Sequence, residues 1–355
     1  MKSNNITNIT ITALRWLLLP ASLLYGLATQ IRNLLYDKGL LKSYSPPCRT
    51  ICVGNLAIGG TGKSPLTMWL VSTLKQQQKV AVLSRGYGRK TRGFMLVQTT
   101  SASHECGDEP LMIKRRHPDV IVAVCEDRVQ GAKQLLKLYP GLQTLILDDA
   151  MQHRAILCSL NLLTTQYGSL YTNDIMLPTG NLREPASGAK RADLVIVTKC
   201  PEIAVLGSEA ATQMRQQVRS QLKTDKFILS AIQYGTPTDA DGNHVTLHKN
   251  IILLAAIANP IPMLKHLKKN NYEVETMFFA DHHQFSEKDL LHLHDRLNAR
   301  PADTTLLTTE KDLQRLRHLK AFSLIRPYLA IMPIEPIFDQ ENKLAKLINP
   351  ACYHS

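Results

Sequence analysis

The sequence predicts an α/β fold, a parallel sheet with helices on both faces, followed by a smaller C-terminal α/β lobe and preceded by one apolar helix. Three observations carry this expectation. Short, near-continuously apolar runs alternate with helical patterns from residue 50 onward, as strands buried on both faces must. A glycine-rich loop joins the first run to the first helical pattern, and a second strand–helix series begins near Phe227. At roughly 150 residues per domain, a chain of 355 residues suggests two lobes. A composition of 44% hydrophobic and 20% charged residues excludes long disorder, collagen-like repeats and a polytopic membrane protein.

Net charge is +13, which favours anionic partners: phosphates, nucleic acid or acidic lipid headgroups. The seven cysteines are scattered, with no C-x-x-C pair and no histidine at zinc-ligand spacing. They point to a reducing compartment and receive no catalytic role.

The first element is residues 16–31 (WLLLPASLLYGLATQI), bounded by Arg15 and Arg32. It falls short of the ~20 residues that a straight spanning helix needs, and it carries Pro20 and Gly26. Within the first fifty residues Lys2, Arg15, Arg32, Lys38, Lys42 and Arg49 face Asp37 alone. A Trp- and Leu-rich segment flanked by cations suits a helix lying among the headgroups of an anionic leaflet, or a short anchor. A core-packing helix and a cleaved secretory signal are the alternatives, the latter weakened by having Lys2 as its only early cation.

After Pro46-Pro47, the apolar runs fall at 50–53, 80–83, 120–124, 145–147, 161–164 and 194–198, with helical patterns at 64–75, 128–138 and 209–222. The second series has runs at 227–232, 251–257, 273–279, 305–307 and 329–332. The expected division is a membrane-associating helix over 1–36, a nucleotide-binding domain over 37–224 and a smaller α/β domain over 225–355.

Between the first strand and its helix the chain reads Gly54-Asn55-Leu56-Ala57-Ile58-Gly59-Gly60-Thr61-Gly62-Lys63-Ser64, a Walker A phosphate loop in its strand–loop–helix setting. Gly59, Gly60, Thr61 and Gly62 let backbone N–H groups converge on phosphate oxygens, Lys63 neutralises the β- and γ-phosphates, and Ser64 can hold Mg²⁺. Ala57 stands where the motif has its first glycine. A metal-binding carboxylate belongs at the end of another strand, and Asp148-Asp149 follow the 145–147 run, one facing the metal and the other supporting it. Thr198-Lys199-Cys200-Pro201 lacks the aspartate that a guanine-reading N-K-x-D would carry, so the nucleotide is read as ATP. ATP chemistry also weighs against a secreted product.

Several motifs together resemble the tetraacyldisaccharide 4′-kinases of lipid A biosynthesis: Val53-Gly54-Asn55 with Gly59-Gly60-Thr61-Gly62-Lys63-Ser64-Pro65; Ser84-Arg85-Gly86-Tyr87-Gly88-Arg89; Gly107-Asp108-Glu109-Pro110; Asp148-Asp149 with Gln152-His153; Leu177-Pro178, Gly180 and Leu182-Arg183-Glu184-Pro185; and Asp281-His282-His283. They extend to about Asp312, so they cover most of the chain. The resemblance implies a P-loop fold and transfer of the γ-phosphoryl group of ATP, with Mg²⁺, to the 4′-hydroxyl of an acylated glucosamine disaccharide 1-phosphate. It also implies a catalytic base, Asp108, paired with His282. A helix N-cap is the alternative role for Asp108, because Glu109-Pro110 opens a helical pattern.

Ser64, Asp149 and Glu109 are the expected metal-site residues. Arg85, Tyr87, Arg128, Asp148, Gln152, Arg183 and Glu184 are the expected phosphate or substrate contacts. The family usually has glycine and a bulky apolar residue where this chain has Ala150 and Met151, so a backbone needing positive φ at 150 would be strained. A substrate held in a bilayer accounts for the apolar leader and the basic charge. The expected setting is the cytoplasmic face of the inner membrane, on its anionic surface, as a monomer without nucleic acid. The rival readings are a phosphotransferase for a soluble small molecule and an ATP-hydrolysing regulatory or nucleic-acid-binding protein, for which no helix-turn-helix, zinc-finger or RNP-type motif is evident.

Overall fold

A computed structural model describes residues 15–202, 209–281, 283–301 and 303–349. In chain order the main elements are α1 (Leu19–Asp37), β1 (Arg49–Gly54), α2 (Lys63–Leu74), β2 (Val80–Ser84), β3 (Met95–Leu96), α3 (Asp108–Arg116), β4 (Ile121–Val124), α4 (Arg128–Leu138), β5 (Thr144–Asp148), β6 (Leu160–Gln166) and β7 (Leu194–Thr198). They continue with α5 (Glu209–Leu222), β8 (Phe227–Tyr234), β9 (Asn250–Ala255), α6 (Ile261–Lys269), β10 (Glu273–Phe278), α7 (Glu287–Asn298), β11 (Thr304–Thr309), α8 (Glu310–Leu316), β12 (Leu329–Met332), β13 (Ile334–Phe338) and α9 (Glu341–Ile348).

The chain forms two compact units. The first takes residues up to 85, 125–232 and 336 onward; the second takes 86–124 and 233–335. This division differs from the expected boundary near residue 224 in two places. The sequence pattern puts β8 at the opening of the second lobe, yet it pairs in parallel with β7, Val195 opposite Phe227 and Val197 opposite Leu229, all of them buried. The 86–124 segment was assigned to the nucleotide-binding domain, yet α3 lies against α8, tied by Arg115 to Gln314 Oε1 (2.6 Å) and Arg116 to Glu310 (3.2 Å). Contacts between residues some two hundred positions apart leave no local trace in a sequence.

In the first unit the parallel strands run β8-β7-β6-β1-β5-β2. Every residue of β2, β5 and β7 is buried, which is why these strands read as unbroken apolar runs. The second unit holds a parallel sheet, β10-β9-β11-β12, and the antiparallel pair β3 and β4. Its core includes Ile252, Leu254, Leu306 and Ile331 with Leu290, Leu293 and Leu297 of α7.

Helix α1 is amphipathic in an inverted sense. It buries Ser22, Gly26 and Thr29, and Ser22 Oγ donates to Thr179 Oγ1 at 2.7 Å. Leu17 and, on the helix, Leu23, Leu24, Leu27, Ile31 and Leu34 are exposed, Leu17 and Leu24 by 74% and 70%. Of the expected leader of 1–36, the described part holds the helix Leu19–Asp37; residues 1–14 lie outside it. No helix among the described residues is long and apolar enough to cross a membrane.

Gly54, closing β1, has the tightest surroundings of the loop entry: a Cβ there would lie 2.5 Å from Met151 Cβ and 3.0 Å from Met151 N. Gly54→Ala is therefore expected to destabilise the protein by about 1–3 kcal/mol through overpacking. A denaturant midpoint equal to that of the parent would show that the contact relaxes freely.

Candidate active site

The phosphate loop leaves β1 at Gly54. Asn55 turns it, its Nδ2 donating to Ala57 O at 2.6 Å. Ala57 bridges Leu182, and Ile58 N donates to Asn181 O at 2.8 Å, so this part of the loop is held extended. Positive φ is not needed at 57, which is why alanine serves where the motif has glycine. It is needed at Gly59 (φ 101°) and Gly62 (φ 82°), the latter capping the start of α2. Thr61 is buried and fixed from two sides: its Oγ1 shares a hydrogen bond with Thr164 Oγ1 (2.8 Å), and its carbonyl accepts from Thr198 Oγ1 (2.8 Å).

The acidic pair arrives beside the loop because β5 is the neighbour of β1, with Asp148 opposite Val53. Asp148 is buried, and its Oδ2 accepts from Ser84 Oγ at 3.1 Å. The residue expected to touch substrate is thus placed inward, with only 3% of its surface exposed. Asp149 turns out of the strand with φ 49°, a left-handed conformation that aspartate tolerates. Ala150 has no such φ, so the strain expected at position 150 does not arise there.

Lys63 Nζ lies 3.6 Å from Asp149 Oδ1, and the Arg183 fork grips both oxygens, Nη2 to Oδ1 at 2.7 Å and Nη1 to Oδ2 at 3.1 Å. Burial pushes the Asp149 carboxyl up, but the Arg183 bond and the Lys63 and Arg183 charges outweigh it and hold the group below the usual carboxylate range. A deprotonated carboxylate beside the Lys63–Ser64 start of a helix is the donor set Mg²⁺ takes, one or two carboxylates completed by substrate phosphates. The residues present therefore fit a Mg²⁺–nucleotide.

Three other expected contacts also meet in this unit. Gln152 Nε2 donates to Asn55 O (2.7 Å) and to Glu184 Oε1 (2.8 Å). Glu184 was expected to touch substrate; instead it is fully buried, its two oxygens taken by Arg191 (2.8 and 2.7 Å), Gln152 and Asn33 Nδ2 (3.1 Å). Arg128 is likewise inward, its Nη1 donating to Cys125 O (3.0 Å) and its Nη2 to Asp148 O (3.3 Å). Both expected contacts therefore point into the protein and are bonded to its own groups. Arg85 follows β2 and is exposed.

Tyr87, Asp108 and Glu109 belong to the second unit. Tyr87 is 77% exposed. Asp108 is the first residue of α3, and Gly107 (φ 93°) takes the N-cap place that the alternative reading gave to Asp108. Its Oδ2 accepts from Arg315 Nε at 2.7 Å, while Glu109 Oε1 lies 3.7 Å from Lys311 Nζ. His282 falls outside the described residues. Its neighbour His283 stacks on Phe279 and meets Asp289 Oδ2 at 3.3 Å.

Sequence reasoning did not single out Arg191, Lys199 or Arg315. Lys199 Nζ lies 3.9 Å from where a Cβ on Gly60 would stand, and burial pushes its amine below the usual lysine range. Only the V-T-K run after β7 hinted at it.

The profile of the LpxK family, tetraacyldisaccharide-1-P 4′-kinase, matches residues 14–353. The chain belongs to this family. It is 43% identical over 302 residues to a tetraacyldisaccharide 4′-kinase of Cytophaga hutchinsonii, covering 84% of each chain, and 40% identical to that of Flavobacterium johnsoniae over 92% of this chain and 93% of the other. Among solved structures, LpxK of Aquifex aeolicus in complex with ATP is similar with a TM-score of 0.73 and 30% identity, over 94% of this chain and 98% of that one. The α/β P-loop fold and a kinase of the LpxK family using ATP, as read from the sequence, are borne out.

Lys63→Ala removes the cation that faces Asp149 and that the Walker A motif assigns to the phosphates. Phosphoryl transfer is expected to fall by roughly 10²–10³-fold, the scale for losing one charge-stabilising donor. The unfolding midpoint should stay near that of the parent, and near-normal turnover in a folded variant would remove the cradle assignment.

Proposed function

We infer that the protein transfers the γ-phosphoryl group of ATP to the 4′-hydroxyl of a tetraacylated glucosamine disaccharide 1-phosphate, a step of lipid A biosynthesis. The observation that carries this is the meeting of Lys63 and Asp149 at the mouth of the glycine loop, in a chain matched to the family over nearly its whole length. The loop N–H groups and Lys63 orient the triphosphate and meet charge that develops on its oxygens. Ser64 and Asp149 would hold Mg²⁺, which would supply positive charge to neutralise the phosphates; Glu109 is a further candidate for that site. Arg183, bonded to both Asp149 oxygens, fixes the direction in which they point.

In the transfer itself the sugar oxygen forms a bond to the γ-phosphorus, the bond from the γ-phosphorus to the bridging oxygen breaks, and ADP departs with the electron pair. Asp108 accepts the hydroxyl proton, with His282 as its partner. Arg85 and Tyr87, both exposed, are the proposed contacts to substrate.

The acceptor resides in a lipid layer, and α1 supplies the means of reaching it. Its leucines point outward, its small residues inward, and Arg15, Arg32 and Lys38 flank them. The enzyme accordingly lies on the anionic cytoplasmic face of the inner membrane, where ATP is available.

The direct test incubates the protein with γ-labelled ATP and a tetraacylated disaccharide 1-phosphate in detergent; label in the lipid is the expected result, and label only in inorganic phosphate would defeat the reading. Asp108→Ala should lower kcat roughly 10²-fold or more while ATP affinity stays near normal, on the scale of general-base catalysis. An equal loss of ATP affinity would move Asp108 to a nucleotide role. Leu23→Gln with Leu27→Gln, which removes apolar surface without adding charge, should release the protein from anionic vesicles in a sedimentation assay, and retained binding would exclude α1 as the docking surface.

A further inference from the structure

We propose that Arg315 is a positioning residue for the catalytic carboxylate, setting the plane of Asp108 through a two-donor clamp. The proposal rests on the reading of Asp108 as the base. The Arg315 side chain is 1% exposed, and its Nε and Nη2 both converge on Oδ2 of Asp108 at 2.7 Å. Its remaining donors hold the other side of the guanidinium: Nη1 gives to Asp312 Oδ1 and to Ala256 O, each at 3.2 Å.

Asp312 is itself immovable. It is fully buried, its Oδ2 accepts from Ala256 N (3.1 Å) and Thr309 Oγ1 (2.8 Å), and its N–H donates to Thr309 Oγ1 in the N-cap of α8. The guanidinium is thus pinned to a helix start and to the end of β9, and it presents a fixed fork to a carboxylate in the first turn of α3. Charge-assisted bonds from a planar fork carry direction as well as energy. Turning Asp108 about its terminal torsion would break both bonds on Oδ2, so the direction available to a proton is set before any acceptor arrives.

A purely structural role is the competing account, since Arg315 also ties α8 to Ala256, and a double-mutant cycle in full-length protein separates the two. Arg315→Met should lower kcat by about tenfold to a hundredfold, the scale for misplacing a reacting group by an ångström. The KM for ATP should stay within about twofold, because the nucleotide loop is untouched. Arg315→Lys keeps the charge but loses the two-donor fork, and should recover part of the loss. In an Asp108→Ala background neither substitution at 315 should lower turnover further.

A folded Arg315→Met with parental kcat, alongside an Asp108→Ala that is inactive, would overturn the proposal. So would an equal fold-loss from Arg315→Met in both backgrounds, the mark of a structural role. Near-normal turnover in Asp108→Ala alone would instead remove the base reading, and the role of Arg315 with it. Should Arg315→Met fail to fold, the same cycle run with Arg315→Lys decides: a parental kcat, or a loss repeated without Asp108, counts against the clamp.

Discussion

The adjacency of β1 and β5, with Val53 opposite Asp148, is the constraint on which the nucleotide site depends. One strand ends in the phosphate loop and the other in the acidic pair, so a single register places a lysine and a carboxylate 3.6 Å apart. Slipping that register by one residue would turn every side chain of β5 to the opposite face and carry Asp148 and Asp149 away from their partners. Because β5 is buried on both faces, its apolar residues alone do not fix this register; Asp148 does, since a slip would take its buried carboxylate away from the Ser84 hydroxyl. A buried polar contact in the sheet thereby fixes an electrostatic arrangement at the strand ends.

Around that pair, polar side chains form a continuous support. Asn55 accepts from Gln152 and Arg183 and braces Ala57; Gln152 continues to Glu184, and Glu184 to Arg191 and Asn33. A carboxylate as buried as Glu184 is sustained by four hydrogen bonds from three donor groups. The chain leads into α1, where Tyr25 Oη also donates to the carbonyl of Arg183 at 2.8 Å. The helix that carries the exposed leucines and the arginine that grips Asp149 are parts of one hydrogen-bonded assembly.

Much of this was legible in the sequence. The strands of the first unit fall where the apolar runs predicted, since strands buried on both faces have no polar positions to blur them. The phosphate loop and the acidic pair were readable because their chemistry is local. The boundary between units was not, because β8 joins the first sheet by pairing that no composition shift announces. The inward turns of Arg128 and Glu184 were also hidden: a charged residue in a motif reads the same whether it faces a ligand or a buried partner. Arg315 gave no signal at all, since the partner that gives it meaning lies 207 positions away.

The seam beneath α1 has a practical corollary. A hydroxyl pair, Ser22 with Thr179, a glycine set against Met176 and the Tyr25 and Asn33 hydrogen bonds attach this helix to the body, while Leu23, Leu24, Leu27, Ile31 and Leu34 stay exposed. The row of leucines on its far side is left as a sticky stripe in plain buffer, and purified protein will seek amphiphile molecules or its own kind. Solubility here is a property of the surroundings supplied, and a detergent chosen for the preparation stands in for what the cell provides.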